Sequence, residues 1–183
     1  MNLKSFTLFT VLGGLILFFW QFLSFAGLNL HEPAQRHTTL SPIILEHLAG
    51  LDLEPGMYAL GSPSPEERAD PQGLGAEYQS RMEGQPYAVL NYQLNWTNNM
   101  LPNLARSLAM NWMTAALLFF LLGQHPSSIL GRRVALSCAV GFIGFCFFPY
   151  SNFIWFKNPD IWAHLADAVL PFAMLGALHV KVV

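Results

Sequence analysis

Four long apolar runs dominate the pattern of hydrophobic and polar positions along the chain. Positions 6–31, 107–131 and 134–156 contain no Asp, Glu, Lys or Arg, and Asp167 is the only charged residue at 161–180. About 20 apolar residues in a helix cross a hydrocarbon core of about 30 Å, so such runs are typical of transmembrane helices. The runs are continuous rather than alternating, which favours helices over the strands of a membrane barrel. The pattern therefore predicts four transmembrane helices, at residues 6–28, 104–123, 134–156 and 161–180.

The first of these helices also has features of a cleaved signal peptide. These are the basic Lys4 near its start and the small residues Ser24 and Ala26 near its end. Its apolar run is longer than the roughly 7 to 15 residues of a signal peptide. We therefore expect a signal anchor, that is, a first transmembrane helix that stays in the protein.

Residues 29–103 separate the first two helices, and they are too polar to lie in a membrane and too long for a plain loop. Turn residues and hydrophobic periodicity predict four short elements in this segment. They are a helix from Pro42 to Gly50, a strand at 57–60, a helix at 76–82 and a strand at 87–94. The stretch 61–75 is rich in Pro and Gly, and we expect it to be a mobile excursion. The strands are expected to pair, with the helices packed on them and the unit resting on the outer helix ends or on a partner.

The predicted fold class is all-α membrane, a four-helix transmembrane bundle with a small α+β extracytoplasmic domain inserted between helices 1 and 2. The predicted division of the chain is 1–28 for transmembrane helix 1, 29–103 for the inserted domain and 104–183 for transmembrane helices 2–4.

Basic residues determine the predicted orientation. They flank the apolar runs on one side, whereas the inserted segment carries most of the acidic residues. The positive-inside rule then places both termini in the cytoplasm and residues 29–103 outside the inner (plasma) membrane. The residues that set this topology are Lys4, Arg132, Arg133 and Lys181. Tryptophans near the outer helix ends indicate an interfacial aromatic belt, and they are Trp20, Trp112, Trp155 and Trp162.

Composition excludes several classes of protein. The chain has 183 residues, of which 53% are hydrophobic and 11% charged, whereas ordinary soluble domains have about 25% charged residues. A soluble enzyme and a disordered protein are therefore excluded. The formal net charge of −2 gives no electrostatic footprint for nucleic acid.

All four predicted helices carry polar residues at a similar depth, roughly 5 to 12 Å from their outer ends at 1.5 Å per residue. These residues are Gln21, Asn111, Tyr150, Asn152, His164 and Asp167. His164 and Asp167 share a helix face, and a carboxylate in hydrocarbon must find a partner. We favour a hydrogen-bonded cluster that fixes helix packing. The alternative is an outward-facing pocket for a ligand, a lipid headgroup or an ion. A path through the membrane is disfavoured, because the inner halves of the helices have few polar residues.

No recognisable cofactor or catalytic motif occurs in the sequence. Several possible metal ligands fall near the outer side, but no pair has an established ligand spacing. The residues considered are His31, Glu32, His37, His47 and His164. Cys138 and Cys146 lie about 12 Å apart along one helix and cannot form a disulfide with each other. We therefore predict no metal, no cofactor and no enzymatic activity.

Small residues and prolines predict the local shape of the helices. Small side chains that allow close helix contacts are Gly13, Gly14, Ser137, Gly141 and Gly144. Pro149 and Pro171 are expected to kink the third and fourth helices.

Short segments carry a resemblance to a known family. They are Phe19–Ser24, Leu53–Tyr58, Pro149–Phe156 and the Ala166-Asp167-Ala168 sequence of the fourth helix. In these segments the chain resembles an uncharacterised family of bacterial four-helix inner-membrane proteins, of the kind seen in Bacteroidota. The resemblance implies the four-helix topology over most of the chain, and it implies no activity and no functional residues.

The expected function is that of an integral membrane accessory or structural subunit of a larger membrane protein complex, for example of a respiratory or photosynthetic type. The alternative is a small transporter, channel or sensor with an outward-facing polar pocket around His164 and Asp167. A membrane enzyme acting outside has only that pair in its favour. The expected partners are the lipid bilayer and other membrane protein subunits, and no nucleic acid.

Overall fold

The computed structural model describes residues 2–125 and 129–183, which form two compact units. The helical unit comprises the described residues of 1–36 and 99–183, and the insertion unit comprises His37–Asn98. The predicted inserted domain, 29–103, extends further at both ends than the compact insertion unit. Residues 29–36 and 99–103 instead belong with the long helices.

The helices and strands follow one another in a simple order. They are α1 (Leu3–Phe22), which continues into a π-helical turn (Leu23–Gly27), a 3-10 turn (Glu32–Ala34), α2 (Ser41–Ala49), β1 (Gly56–Leu60), α3 (Pro65–Ala69), α4 (Leu74–Met82), β2 (Ala88–Tyr92), α5 (Met100–Gly123), α6 (Leu130–Phe145), a second π-helical turn (Cys146–Tyr150), α7 (Ser151–Phe156) and α8 (Ile161–Val182).

Four helical segments of the described chain are long and apolar enough to cross a membrane. They are Leu3–Gly27, Met100–Gly123, Leu130–Phe156 and Ile161–Val182. Each contains most or all of a predicted transmembrane helix. Helix α6 includes Arg132 and Arg133, two residues that we expected in a loop. The backbone N–H groups of both arginines donate to the carbonyl of Ile129, so the first turn of the helix closes around them. Part of the predicted loop, residues 126–128, lies outside the described residues.

Helices α1 and α8 occupy the middle of the helical unit. Helix α1 packs against both α5 and α8, and α6 packs against the other side of α8. Large apolar side chains of α1, α5 and α8 form the buried core, among them Phe9, Leu118, Phe119 and Leu175. Residues at the ends of α1 and α8 are therefore held by packing along both helices.

Small residues lie at two of the close helix contacts. Gly141 of α6 faces the Ala168 carbonyl of α8 so closely that a Cβ atom would collide with it. One turn earlier, the hydroxyl of Ser137 donates to the Phe172 carbonyl at 2.5 Å. Gly14 of α1 lies against the ring of Trp112 on α5. Gly144, by contrast, has open space where a Cβ would stand, so it is not a contact position.

Pro149 lies within the π-helical turn that joins α6 to α7. A proline has no N–H group and its ring clashes with a carbonyl of the preceding α-helical turn, and a wider π turn is one way in which a helix adjusts. The expected interruption at Pro149 thus takes the form of a π turn in a continuous helical segment. Pro171 lies inside α8.

The insertion unit contains the two predicted strands as an antiparallel pair. Tyr58 of β1 stands opposite Leu90 of β2, and Gly56 stands opposite Tyr92. Leu90 and Tyr92 are the more buried residues of β2, as its alternating pattern predicts. The helix predicted from Pro42 forms as α2, and the helix predicted at 76–82 forms as α4.

The predicted mobile excursion at 61–75 is instead partly helical, since it contains α3 and the start of α4. Helix α3 begins with a capping box, in which the Ser64 hydroxyl accepts from the Glu67 N–H and the Glu67 carboxylate accepts from the Ser64 N–H. Glu67 also pairs with Arg81 of α4 at 2.8 Å. The Ser64 N–H and then the Arg81 guanidinium lower the pKa of Glu67 below its ordinary value. Local capping therefore overrides the turn-forming composition of this stretch.

Candidate functional site

His31 is brought to the end of the helical unit by a sharp reversal of the chain after α1. Asn29 has a φ of +50°, a left-handed conformation that asparagine adopts more readily than most residues. The Leu30 N–H then donates to the Ser24 carbonyl at 2.9 Å, and this bond folds the chain back over the π turn. The His31 ring stacks on Phe25, with 3.9 Å between the ring centroids, and only 2% of the residue is exposed.

Both ring nitrogens of His31 face aspartates of α8 and its N-cap. Nδ1 lies 2.8 Å from Oδ2 of Asp160, and Nε2 lies 2.9 Å from Oδ2 of Asp167. A neutral imidazole has one donor nitrogen, and an ionised carboxylate can only accept. The two short contacts therefore require either a doubly protonated His31 between two carboxylates or a proton on one of the aspartates. We call His31, Asp160, His164 and Asp167 the His–Asp cluster.

Asp167 is anchored from α1 as well as by His31. Its Oδ1 atom accepts from Nε1 of Trp20 at 2.9 Å and from the hydroxyl of Ser24 at 2.7 Å. Ser24 is fully buried and lies in the π turn, which places its side chain toward α8. Burying a carboxylate among apolar residues is costly unless it is hydrogen-bonded. Asp167 has three such partners, which are Trp20, Ser24 and His31.

Asp160 is the N-cap residue of α8, and its carboxylate points at histidines rather than at the helix backbone. Its Oδ2 atom lies 3.4 Å from Nε2 of His164 in addition to the contact with His31. The residue is 7% exposed, whereas His164 is 32% exposed. The positive end of the α8 dipole stabilises a negative charge at this position. The cluster is therefore buried on the His31 side and accessible on the His164 side.

A cavity of about 570 Å³ lies between α1, α5 and α8, next to Asp167. One wall is polar, because Gln21 Oε1 accepts from the Ser107 hydroxyl and from Asn111 Nδ2, both at 2.9 Å. Trp20, Thr114 and Asp167 also line the cavity. Its remaining surface is mostly apolar, and the aromatic residues there are Phe18, Phe22, Phe25 and Phe172. This cavity has the size and the mixed lining of a small-molecule site, and we call it the interhelical pocket.

The six residues of the predicted polar layer fall in three places. Gln21, Asn111 and Asp167 line the interhelical pocket. His164 lies in the His–Asp cluster and pairs with Asp160, and it is Asp160 rather than Asp167 that it contacts. Asn152 instead accepts from the side chain of Asn158 at 2.8 Å, and Tyr150 lies near Phe145 and Phe153.

The predicted belt tryptophans and the predicted topology-setting basic residues each include both exposed residues and residues that contact other helices or loops. Trp155 and Trp162 are largely exposed, as a membrane belt requires, whereas Trp20 binds Asp167 and Trp112 packs on Gly14. Among the basic residues, Lys4, Arg132 and Lys181 are exposed. Arg133 is buried, and its Nη2 donates to the His125 carbonyl at 3.0 Å.

Sequence reasoning missed His31 and Asp160 as members of one cluster with His164 and Asp167. The spacing of Asp160 and His164, four residues apart, was a usable signal, since such residues share a helix face. His31 had no comparable signal, because it lies in an irregular segment whose path depends on Asn29 and on the π turn.

The chain was compared with known proteins in three ways, and no family model, no curated protein and no solved structure matches it. The resemblance to four-helix inner-membrane proteins therefore stays a prediction.

Proposed function

We propose that the chain is a multi-pass membrane protein that binds a small amphipathic molecule in the interhelical pocket. The observation that carries this proposal is the pairing of a polar wall with aromatic walls in one cavity of about 570 Å³. Ligand sites are concave, mostly apolar and about 300 to 1,000 Å³ in volume, with a few placed polar groups. The amides of Gln21 and Asn111 and the carboxylate of Asp167 would bind the polar end, and the phenylalanines would bind the apolar part.

The membrane setting follows from the four apolar helices and their flanking charges. The exposed basic residues Lys4, Arg132 and Lys181 favour a cytoplasmic location for the helix ends that carry them. The pocket lies at the other end of α1. On the proposed orientation it therefore belongs to the outer leaflet, and residues 29–103 lie outside an inner membrane. A molecule of the outer leaflet with a hydroxyl- or amine-bearing headgroup fits the acceptors on the polar wall. Sensing or transport of such a molecule is the function that this site supports best.

The test is retention of a ligand by the full chain. We would extract the protein in mild detergent and identify bound small molecules by native mass spectrometry. Thr114→Phe places a ring in the pocket, and Leu117→Phe is its matched control, since Leu117 lies on the same helix, is 60% exposed and is not part of the pocket lining. We expect one molecule bound per chain, a loss of about tenfold or more in occupancy for Thr114→Phe, and no change for Leu117→Phe. Equal occupancy in both variants, or an empty parent protein, would contradict the proposal.

A second candidate function is the accessory subunit of a larger membrane complex. It is favoured by the outer face of the segment around the second π turn, where Phe147, Phe148 and Trp155 are 84%, 73% and 75% exposed. Such large side chains suit a neighbouring protein helix as well as lipid. A native gel of mild-detergent extracts, with mass spectrometry of the band, distinguishes an accessory subunit from a protein that acts alone. Migration in a large complex supports a subunit, and migration alone or as a small homo-oligomer contradicts it.

A further inference from the structure

We propose that His31, Asp160 and His164 bind a divalent transition-metal ion, and that zinc is the ion this ligand set fits best. The proposal does not depend on a ligand in the interhelical pocket. It rests on the His–Asp cluster, in which the fold brings His31 against Asp160 and Asp167.

The spacing of the three residues suits a single ion. Each offers one ligand atom, and these atoms all lie within 4.8 Å of one another. Zinc bound tetrahedrally at about 2.0 to 2.1 Å keeps its ligand atoms about 3.3 Å apart. The two Oδ2 contacts of Asp160, 2.8 Å to His31 and 3.4 Å to His164, lie on either side of that value. The ion would take the place of the hydrogen between His31 and Asp160, with a movement of about 0.5 Å.

The side chains behind His31 form the support that a metal-binding histidine needs. A ligating imidazole usually donates its other N–H to a carboxylate or carbonyl, which fixes the ring and makes the ligating nitrogen a better donor to the metal. Here Nδ1 faces the proposed ion and Nε2 lies 2.9 Å from Asp167. Asp167 is in turn held by Trp20 and Ser24, and Phe25 stacks on the His31 ring. His31 therefore has a fixed orientation before any metal binds.

The donor types select among metals. Magnesium and calcium prefer sites made of oxygen atoms, so two imidazoles disfavour them. Imidazole together with one carboxylate suits zinc and its neighbours in the first transition row. Three protein ligands leave one tetrahedral position for water, as in zinc sites that take part in reactions. His164 is the most exposed of the three proposed ligands, with 32% of its side chain exposed.

The experiment measures zinc binding to the full chain, purified in detergent with a histidine-free affinity tag and treated with a chelator. We expect calorimetry to give one Zn²⁺ per chain. Cobalt should replace zinc and give the strong visible absorption of a tetrahedral site. His164→Ala should weaken zinc binding by about tenfold or more, and Asp167→Asn by about 10- to 100-fold, through the orientation of His31. His37→Ala, in the insertion unit, is the control and should bind zinc as the parent does.

Two results would overturn the proposal. One is a folded parent protein that takes up less than one zinc per chain at micromolar zinc. The other is unchanged zinc affinity in His164→Ala. This variant is expected to fold, because His164 lies on the accessible side of the cluster. Thr114→Phe should keep full zinc affinity, so failure of the metal site and failure of the pocket can be told apart.

Discussion

At the scale of single residues, the hydrogen bond from Trp20 to Asp167 gives Trp20 a role other than that of an interfacial tryptophan. The indole N–H lies 2.9 Å from a carboxylate oxygen, so the ring links α1 to α8. Tryptophans at membrane interfaces need no such partner, because their polar edge faces headgroups and water. Trp20 is therefore a site residue, whereas Trp155 is 75% exposed and stays a predicted belt residue.

Trp20→Phe is expected to destabilise the helical unit by about 1.5 to 3 kcal/mol, the usual range for a hydrogen bond to a charged group. The loss arises because Asp167 keeps its burial but loses one of its donors. Thermal unfolding in detergent, followed by circular dichroism, measures the difference. Trp155→Phe is the control and should change stability by less than about 0.5 kcal/mol, as exposed substitutions do. Equal effects in the two variants would mean that the Trp20 bond contributes nothing.

At the scale of elements, the contact between α6 and α8 depends on the absence of a side chain at one position. The Gly141 Cα approaches the Ala168 carbonyl directly, and the Ser137 hydroxyl binds the neighbouring Phe172 carbonyl. Helices in membranes gain stability from such close packing, since lipid tails give no hydrophobic force between them. This contact holds α8 and its N-cap residue Asp160, which together carry three of the four residues of the His–Asp cluster.

Gly141→Leu should therefore separate α6 from α8 and destabilise the helical unit by about 1 to 3 kcal/mol or more, as overpacking does. Gly144→Leu is a matched control on the same helix, because no atom of the described chain, apart from its chain neighbours and its own helix backbone, lies within 4 Å of its Cβ position. Melting temperatures of the two variants in the same detergent decide between the outcomes. A Gly144 variant as unstable as the Gly141 variant would contradict this account of the contact.

The capping box of α3 gives the insertion unit a dependence on acidity. The pKa of Glu67 is lowered in the folded unit by the Ser64 N–H and by Arg81, so its ionised form contributes stability above the ordinary pKa of a glutamate. That contribution is lost as the pH falls through the lowered folded-state pKa. Protection of the amides of residues 65–69 from hydrogen exchange, expressed relative to the intrinsic exchange rate at each pH, should therefore fall in acid, and Glu67→Gln should remove most of this change. If amide protection in Glu67→Gln fell in acid as much as in the parent, this role of Glu67 would be contradicted.

At the scale of the whole molecule, the proposed orientation can be tested by labelling single cysteines. In a Cys138→Ala, Cys146→Ala background, we would place one cysteine at Gln72 of the insertion unit or at Gln124 after α5, both exposed. A maleimide that cannot cross membranes should label Gln72→Cys in intact cells, because the positive-inside rule places 29–103 outside. It should label Gln124→Cys only after the cells have been permeabilised. The reverse pattern would invert the proposed topology and place the interhelical pocket in the cytoplasmic leaflet.

The sequence predicted elements more successfully than it predicted the site. Gln21, Asn111 and Asp167 were placed at one depth by counting residues, and they do line one pocket. Tyr150 and Asn152 were placed at the same depth and lie elsewhere, because depth along a helix does not specify which neighbour the helix face meets. The excursion at 61–75 was misjudged because a capping box of two residues outweighs the composition of the stretch around it.

The sequence by itself determined the four long apolar helices and the paired strands, since the length of an apolar run and an alternation of period two are properties of the chain read in one dimension. Only the tertiary structure decided the His–Asp cluster. His31 reaches Asp160 and Asp167 through a left-handed Asn29, a π turn and the packing of α1 on α8, and none of these leaves a pattern in the order of residues. Hydrogen bonds join groups more than 120 residues apart in this cluster, with a separation of 129 between His31 and Asp160. The physical reason is that a buried charge is satisfied by whichever polar group the fold brings within about 3 Å, wherever that group lies in the sequence.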